Sequence, residues 1–380
     1  MRIAVLTTDN REHYRKYSLP APYFGTAPEA LLQGFAKLRD VEVHVVSCTQ
    51  KPMQSPGKLA SNIFFHELLV PKIGWMRTMY QGCIRATRKK LRQIKPNIVH
   101  GQGTERDCAI SAVLSGFPNV LTIHGNHRLI AKVNKARPFS FVWLAAKLET
   151  VTIPRSNGVI CITHYTEDAV KDLATRTWVV PNAVDASFFD VDSRPNPEKI
   201  PRILCVGHIS VRKNQIAFIR ALDSLAPAGK FEVLFLGLAE TGNFYADEFL
   251  RLVRERSWCV FEGMADRAQL KNHLREATAL ALPSLEDNCP MVVLEAMAAG
   301  VPVIASKVGG LPDLIEEGKN GLFFDPLNEQ SMAEGVRKIV QENCLTRDLA
   351  KRAKNQAMKR FDPEVVAQRH VEIYREVLTK

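Results

Sequence analysis

The feature that most constrains the fold is an alternation of short apolar runs, rich in β-branched residues, with helix-length stretches. Short buried runs separated by helical segments are typical of parallel sheets whose strands are joined by crossover helices. The runs cover residues 2–8, 41–48, 97–100, 119–124, 158–162 and 177–180 in the first half, and residues 202–207, 231–237, 258–261, 278–283, 301–306 and 321–324 in the second. Two such sets predict an α/β protein with two doubly wound domains.

The length of 380 residues also favours two domains, because single hydrophobic cores rarely grow that large. The segment VDSRPNPEKIP (191–201) contains three prolines and several charges and interrupts the pattern, so we place the boundary there. The first domain is then 1–190 and the second 200–360. Apolar residues recur at helical spacing over 363–378, which predicts a final helix.

Composition excludes several classes of protein. No apolar run approaches the roughly 20 residues that a membrane-spanning helix needs, and the N-terminus lacks a signal-peptide layout. We therefore expect a cytoplasmic protein. The eight cysteines are scattered singly, which argues against a disulfide frame or a structural zinc site and suggests buried thiols. No cluster with metal-ligand spacing is visible, so we expect no bound metal.

The formal charge of +11 lies entirely in the first half, where residues 1–190 hold 25 Lys and Arg against 14 Asp and Glu. A one-sided basic field indicates an anionic partner such as phosphate groups or an acidic lipid surface. We expect no nucleic-acid partner, because no nucleic-acid-binding motif accompanies the charge. The stretch 72–95 holds eight of these basic residues and no acid. It reads either as a helix with a solvated basic back or as a site that docks on anionic membrane.

The most informative segment reads PSLEDNCPMVVLEAMAAG and follows a predicted strand. Pro290 stands near the first turn of the helix that follows, where its missing N–H costs nothing. The N–H groups of Met291 and Val292, with the positive end of the helix dipole, form a natural anion site. Two carboxylates, Asp287 and Glu295, flank it. A nucleotide sugar, with a pyrophosphate between ribose and sugar, would suit this arrangement.

This segment closely resembles the donor-site motif of the family 4 retaining glycosyltransferases, which have two glutamates separated by seven residues. The resemblance implies that Glu295 holds the ribose hydroxyls and that Asp287, in the first-glutamate position, binds hydroxyls of the transferred sugar. Asp287 departs from the family by its shorter side chain. Cys289 and Pro290 complete the predicted donor loop. The resemblance also implies the GT-B fold, in which two Rossmann-like domains face each other across a cleft and the C-terminal helix (361–380) joins the first domain.

A second motif, VGHISVRKNQ, resembles the family's G-R-x-x-x-x-K stretch, whose basic residues neutralise the departing diphosphate. Gly207 ends the predicted strand and Lys213 occupies the lysine position, but His208 stands where the family has arginine. A histidine is only partly charged near neutral pH and cannot reproduce a bidentate guanidinium contact. Arg212, next to the lysine, is expected to compensate.

Three further places are similar to family landmarks. His124 in TIHGN matches the first-domain histidine that reaches the donor sugar near the reacting carbon. Gly25 and Thr26 in PYFGTAP are candidates for the glycine loop near the donor phosphates. The backbone around Gly263 and Met264 is a candidate for recognition of the base.

The resemblance implies a metal-independent hexosyl transfer with retention, in which His124, Lys213 and Asp287 are the catalytic candidates. The substrate would be a UDP-, GDP- or ADP-sugar, without a cofactor. The acceptor would be a glycan or a lipid-linked intermediate, as in polysaccharide biosynthesis. Two alternatives stay open: a nucleotide-sugar epimerase or hydrolase on the same fold, and a non-catalytic nucleotide-sugar-binding protein.

Overall fold

The computed structural model describes residues 1–193, 200–226 and 231–379. The chain divides into unit 1, Met1–Asp185 with Asp362–Lys380, and unit 2, Ala186–Phe361. Residues 194–199, the centre of the predicted linker, lie outside the described residues. Each unit is a largely parallel sheet with helices on its faces, so the expected α/β class with two Rossmann-like domains is confirmed.

Unit 1 contains the first strands and helices of the chain together with its last helix. Its strands are β1 (Arg2–Leu6), β2 (Glu42–Thr49), β3 (Lys58–Ala60), β4 (Ile63–Leu69), β5 (Ile98–Gln102), β6 (Asn119–Ile123), β7 (Val159–Cys161) and β8 (Thr177–Val179). Its helices are α1 (Asn10–Tyr14), α2 (Thr26–Lys37), α3 (Gln81–Ile94), α4 (Asp107–Val113), α5 (His127–Val133), α6 (Phe141–Thr152), α7 (His164–Val170) and, from the C-terminus, α15 (Pro363–Leu378).

The sheet of unit 1 has the strand order β3-β4-β2-β1-β5-β6-β7-β8, and β3 is antiparallel to its neighbour. Alternate residues of β1 point to opposite faces, as strand geometry requires. Ile3 and Val5 pack in one core with α2 and α15, while Ala4 and Leu6 pack in another with α3 and α4. Since β1 pairs with both β2 and β5, the strand order reverses beside β1.

Unit 2 contains the remaining elements. Its strands are β9 (Arg202–Val206), β10 (Glu232–Leu236), β11 (Cys259–Gly263), β12 (Ala279–Leu282), β13 (Val303–Ser306) and β14 (Gly321–Phe324). Its helices are α8 (Gln215–Leu222), α9 (Phe244–Arg254), α10 (Arg267–Glu276), α11 (Met291–Ala299), α12 (Leu311–Leu314), α13 (Glu329–Gln341) and α14 (Asn343–Arg360).

The sheet of unit 2 is parallel throughout, in the order β11-β10-β9-β12-β13-β14. Strand order reverses between β9 and β12, and ligands of open α/β sheets bind at the carboxyl ends of the strands beside such a point. The loops that leave β9 and β12 are the two loops that carry the predicted donor motifs. The topology thus brings the two motifs to one edge of this sheet.

The stretch 72–95 is not one continuous helix. Short 3-10 turns occupy Lys72–Gly74 and Met76–Thr78, and α3 begins only at Gln81. A helix over the whole of 72–95 is therefore wrong at its start, because Met76 and Met79 precede α3 and are exposed. The helix is interrupted there because Met79 and Tyr80 adopt left-handed backbone angles, with φ of 50° and 62°. Among the described residues, no helix combines the length and apolar character needed to cross a membrane.

Candidate functional site

Lys213 and Asp287 meet at the carboxyl edge of the unit 2 sheet. Lys213 ends a 3-10 turn after β9, and Asp287 lies in the loop after β12. The Lys213 ammonium donates to Asp287 Oδ2, and the Ser284 hydroxyl donates to the same oxygen over 3.1 Å. Both charged side chains are nearly buried, with 12% and 11% of their surface exposed. Burial thus holds the two side chains in one orientation, whereas the side chains of an exposed ion pair sample many conformations.

Arg212 approaches the same carboxylate from the outside. Its guanidinium donates to the Glu286 carbonyl over 2.8 Å and lies 3.6 Å from Asp287 Oδ1. The Leu285 N–H in turn donates to the Arg212 carbonyl, so the two loops are bonded backbone to backbone. About half of the Arg212 side chain is exposed, which leaves its outer face accessible to a ligand.

His208 lies at the same sheet edge but makes a different contact. Its Nε2 is 3.8 Å from Glu240 Oε1, and both side chains are about half exposed. Arg212, and not His208, makes the charge contact with Asp287. This placement agrees with the expectation that Arg212 compensates for the missing family arginine, although the role itself stays a prediction.

The Asp287 loop depends on two glycines that the sequence analysis did not assign. The Gly310 N–H donates to the Asp287 carbonyl over 3.0 Å, and Gly309 has a left-handed φ of 54°. A Cβ at Gly309 would lie 1.9 Å from the Asp287 carbonyl oxygen. Only glycine allows this approach. The pair of glycines after β13 was the available signal for it.

Helix α11 begins beside this loop. Pro290 precedes its first residue, Met291, and the N–H groups of Met291 and Val292 belong to the first turn, where no helical acceptor exists. Cys289, which precedes Pro290, is buried. These amides and the helix dipole favour an anion at this end of α11.

Glu295 is the one charged residue of α11 and is almost fully buried, with 6% of its side chain exposed. Arg267, the first residue of α10, lies 3.6 Å from Glu295 Oε1 and stacks over Phe188 at 5.8 Å. Lys271 approaches the same ring and donates to the Ser187 hydroxyl over 3.1 Å. A carboxylate at this depth needs a cation nearby, and Arg267 supplies it. Arg267 belongs to neither sequence motif, so no pattern in the sequence points to it.

Three glycines line the ends of adjacent strands at this edge. The Gly237 N–H donates to the Gly263 carbonyl over 2.7 Å, and a Cβ at Gly237 would lie 2.0 Å from the Gly207 carbonyl. At this edge the ends of β9, β10 and β11 therefore carry no side chains, which allows a ligand to approach the backbone closely. Met264, which follows Gly263, is 68% exposed. Gly263 and Met264, the predicted base-binding residues, thus lie at the carboxyl edge of the unit 2 sheet. Their role in binding the base stays a prediction.

In unit 1, His124 follows β6 and belongs to a chain of hydrogen bonds. His124 Nε2 lies 2.8 Å from the Gln102 amide oxygen, and the Gln102 amide nitrogen lies 3.2 Å from His100 Nε2. His100 Nδ1 lies 2.6 Å from the Tyr374 hydroxyl of α15. Since the amide oxygen can only accept, the network puts the His124 proton on Nε2. Burial lowers the pKa of His124, so its neutral form is favoured.

The loop after His124 is held by a buried carboxylate. Glu149 of α6 accepts the His127 N–H at 3.0 Å and the Arg128 N–H at 2.8 Å. The Thr104 hydroxyl donates to it over 2.8 Å. Burial raises the pKa of Glu149 while these bonds favour its charged form. Glu149 therefore fixes the chain that follows His124, although no sequence motif marks it.

Gly25 and Thr26 stand at the start of α2, where Gly25 has φ of 90° and precedes the first helical residue. The loop between β1 and α2 is organised by a fully buried ion pair, in which Arg11 Nη2 donates to Asp9 Oδ2 over 2.6 Å. The Asp9 carboxylate also accepts the Tyr23 N–H over 3.3 Å. The glycine is thus held at the carboxyl edge of the unit 1 sheet, beside β1. Its contact with donor phosphates stays a prediction.

Comparisons with known proteins identify the family of the chain. Residues 188–359 match the family described as glycosyl transferases group 1, and residues 28–188 match glycosyltransferase family 4. An uncharacterized glycosyltransferase of Methanocaldococcus jannaschii is 29% identical over 259 residues, which are 64% of this chain and 64% of that protein. A glycogen synthase of Mycobacterium tuberculosis is 25% identical over 317 residues, which are 80% of this chain and 75% of that protein.

Solved structures show the same fold at low identity. Sucrose-phosphate synthase from Thermosynechococcus elongatus superposes with a TM-score of 0.77 at 18% identity, covering 100% of this chain and 99% of that one. Anabaena HepE in complex with UDP-glucose superposes with a TM-score of 0.69 at 18% identity, covering 99% and 100%. The chain belongs to the family 4 glycosyltransferases and has the GT-B fold.

Proposed function

We propose that this glycosyltransferase takes a hexosyl group from a nucleoside-diphosphate sugar that binds at the β9–β12 edge of unit 2, and that it transfers the group with retention. The observation that carries the proposal is the convergence of Lys213 and Arg212 on the Asp287 carboxylate, in the loop that leads into the first turn of α11. HepE, a structural neighbour, is described in complex with UDP-glucose. A diphosphate at the same edge would meet two cations and free helix amides.

The departing nucleoside diphosphate gains negative charge as the sugar bond breaks. Lys213 and Arg212 are positioned to neutralise that charge, and the amides of Met291 and Val292 add fixed dipoles that need no reorganisation. We propose that these groups are sufficient and that transfer is metal-independent. Full activity after treatment with a metal chelator is the expected result, and activity that returns only on adding Mg²⁺ would contradict it.

Asp287 binds the sugar in this proposal and is not the nucleophile. Its Oδ2 already accepts from Lys213 and Ser284, an arrangement that orients a carboxylate to accept sugar hydroxyls as well. Retention then follows from a front-side displacement, in which the leaving phosphate accepts the acceptor's proton. Isolation of a sugar covalently linked to Asp287 would contradict this mechanism. The anomer of the sugar first released by donor hydrolysis, read by proton NMR, tests retention.

The first experiment is a panel of UDP-, GDP- and ADP-sugars, with thermal shift and donor turnover measured on wild type, Lys213→Ala and Glu295→Ala. Lys319→Ala is the matched control, since its ammonium forms an exposed ion pair with Glu316. We expect one nucleotide to stabilise wild type and the control but neither site variant. Donor turnover that no acceptor accelerates would favour the hydrolase or epimerase alternative. Binding without turnover across a range of acceptors would favour the non-catalytic alternative.

We also propose that unit 1 docks on an anionic membrane surface through residues 72–95, which would make a lipid-linked acceptor accessible. Helix α3 buries Cys83, Leu91 and Ile94 and presents its basic residues to solvent, while Ile73 of the preceding turn is 72% exposed. This combination of exposed cations and exposed apolar side chains suits an acidic lipid interface.

Flotation with vesicles that contain an anionic lipid tests the docking proposal. Basic residues near such a surface contribute about 1 kcal/mol each, so neutralising Arg88, Lys89, Lys90 and Arg92 should weaken binding by up to about 4 kcal/mol. Neutralising Arg347, Lys351 and Arg352 of α14 in unit 2 is the control, because it removes positive charge from a helix outside the proposed docking surface. Equal flotation of both variants would contradict docking through α3.

A further inference from the structure

Two cysteines and an aspartate that lie far apart in the sequence meet inside unit 1. Cys48 lies near the end of β2, Cys83 in the first turn of α3, and Asp107 begins α4. Their Sγ atoms and one carboxylate oxygen all lie within 4.8 Å of one another. The three residues are buried, with 6%, 0% and 7% of their surface exposed. The single, scattered cysteines led us to expect no metal site, yet the fold brings these three donors together.

The donor atoms suit a thiophilic divalent cation. Zinc binds thiolate at about 2.3 Å and carboxylate oxygen at about 2.0 Å, which places two thiolates of a tetrahedral site about 3.8 Å apart. Donor atoms that already lie within 4.8 Å would have to move by about 1 Å or less to reach this geometry. Side-chain rotation of this size needs no change in the backbone. Hard cations such as Mg²⁺ prefer all-oxygen sites, so the two sulfurs select against them.

The surroundings of the cluster are apolar. Trp75, Ile84 and Ile110 pack in the same core as both cysteines. The Thr87 hydroxyl lies 3.8 Å from Cys48 Sγ and offers an oxygen for a fourth position. A hydrogen bond with Cys83, together with burial, raises the pKa of Cys48, and burial raises the pKa of Asp107. Without a cation the cluster is a buried, hydrogen-bonded group, and the competing interpretation is that it serves packing alone.

We propose that Cys48, Cys83 and Asp107 form a structural site for a thiophilic divalent cation of the zinc class. Binding of the cation displaces the two thiol protons, which pass to solvent, and two thiolates with one carboxylate then balance the double positive charge with one negative charge in excess. The cation would tie β2, α3 and α4 together. It would thereby fix the basic helix α3 on the sheet of unit 1. The site lies wholly in unit 1 and is independent of the donor site proposed in unit 2.

Titration of the chelator-treated full chain with Cd²⁺ alone tests the site, because thiolate coordination gives an ultraviolet charge-transfer band. We expect one equivalent of Cd²⁺ per chain. Loss of a residue that only supports a ligand weakens metal affinity about 10–100-fold, so Cys48→Ser and Cys83→Ser should each exceed about 100-fold. Cys344→Ser, which removes the exposed thiol, and Cys161→Ser, which removes a buried thiol elsewhere, are the controls and should bind as wild type does.

A second measurement uses wild type alone, so that a variant that fails to fold does not decide the outcome. Alkylation in a mild denaturant, followed by mass spectrometry, reports the accessibility of each thiol. With Zn²⁺ present, Cys48 and Cys83 should be protected while Cys161 and Cys344 react as before. Equal labelling of Cys48 and Cys83 with and without Zn²⁺ would overturn the proposal. So would their recovery as a disulfide from protein that binds no Cd²⁺.

Discussion

Replacing Gly309 by alanine tests how the shape of a backbone turn positions the Asp287 carboxylate. Gly309 has φ of 54°, and an added Cβ would lie 1.9 Å from the Asp287 carbonyl oxygen. Real Cβ contacts are not found below 3.0 Å, so the two backbones must separate by more than 1 Å. The hydrogen bond from the Gly310 N–H to that oxygen would be stretched or lost.

The expected magnitude has two parts. A left-handed backbone costs a residue with a side chain about 1–2 kcal/mol. Displacement of Asp287 by about 1 Å can in addition lower catalysis about 100-fold, which corresponds to about 2.7 kcal/mol in the activation free energy. Gly318→Ala is the matched control, because Gly318 has φ of 69° in the same unit but its Cβ would meet open space. Gly318→Ala should therefore lose the free energy of the left-handed backbone without displacing Asp287.

Urea denaturation gives the free energy of unfolding, and donor turnover gives kcat/KM. We expect Gly318→Ala to be modestly destabilised with normal kcat/KM. Gly309→Ala should be less stable than the control and should lose donor turnover about 100-fold. Equal kcat/KM for the two variants would refute the argument that Gly309 positions Asp287.

The remaining predictions concern side chains. Lys213→Ala should lower kcat by about 100–1,000-fold, the usual effect of removing a group that stabilises developing charge, while Lys319→Ala leaves kcat unchanged. Gln102→Leu should lower kcat more than it raises KM, because His124 loses the acceptor of its Nε2 proton. Equal changes in kcat and KM would contradict the idea that Gln102 positions His124. Burial lowers the pKa of His370 from 6.5 to about 4, so the unfolded chain binds more protons between these values. The free energy of unfolding should therefore fall as pH drops through this window, by up to about 3 kcal/mol from this residue, and His370→Phe should flatten the decline measured in urea.

Most strands could be predicted from the sequence because a strand buried on both faces is a continuous apolar run. Strand β14 was predicted at its observed bounds, as was the final helix α15. Strands β3 and β4 were missed because they lie at the edge of the sheet. In β4 only two of seven positions are buried, so polar residues interrupt the run. The break before α3 was also missed, because the left-handed angles fall at Met79 and Tyr80, residue types that rarely adopt them.

The candidate donor site could be predicted from the sequence where one continuous segment carries it. Asp287 and Glu295 belong to a single loop and helix, so their spacing along the chain already sets their spacing in space. Arg267 and Gly309 lie outside that segment. Nothing in the local sequence of Arg267 indicates that it approaches Glu295, and the glycine pair 309–310 indicates a turn but not that the turn meets Asp287.

The sequence by itself determined the family, the alternation of strands and helices, and the residues of the donor motif, because each depends on short-range order along the chain. Only the tertiary structure decided that Arg212 reaches the Asp287 carboxylate, that Glu149 holds the chain after His124, and that Cys48 meets Cys83. These contacts join residues distant in sequence, and the order of strands in the sheet determines which of them become neighbours. Local pattern carries no record of that order, so a pair of scattered cysteines can form one buried cluster without any spacing that reveals it.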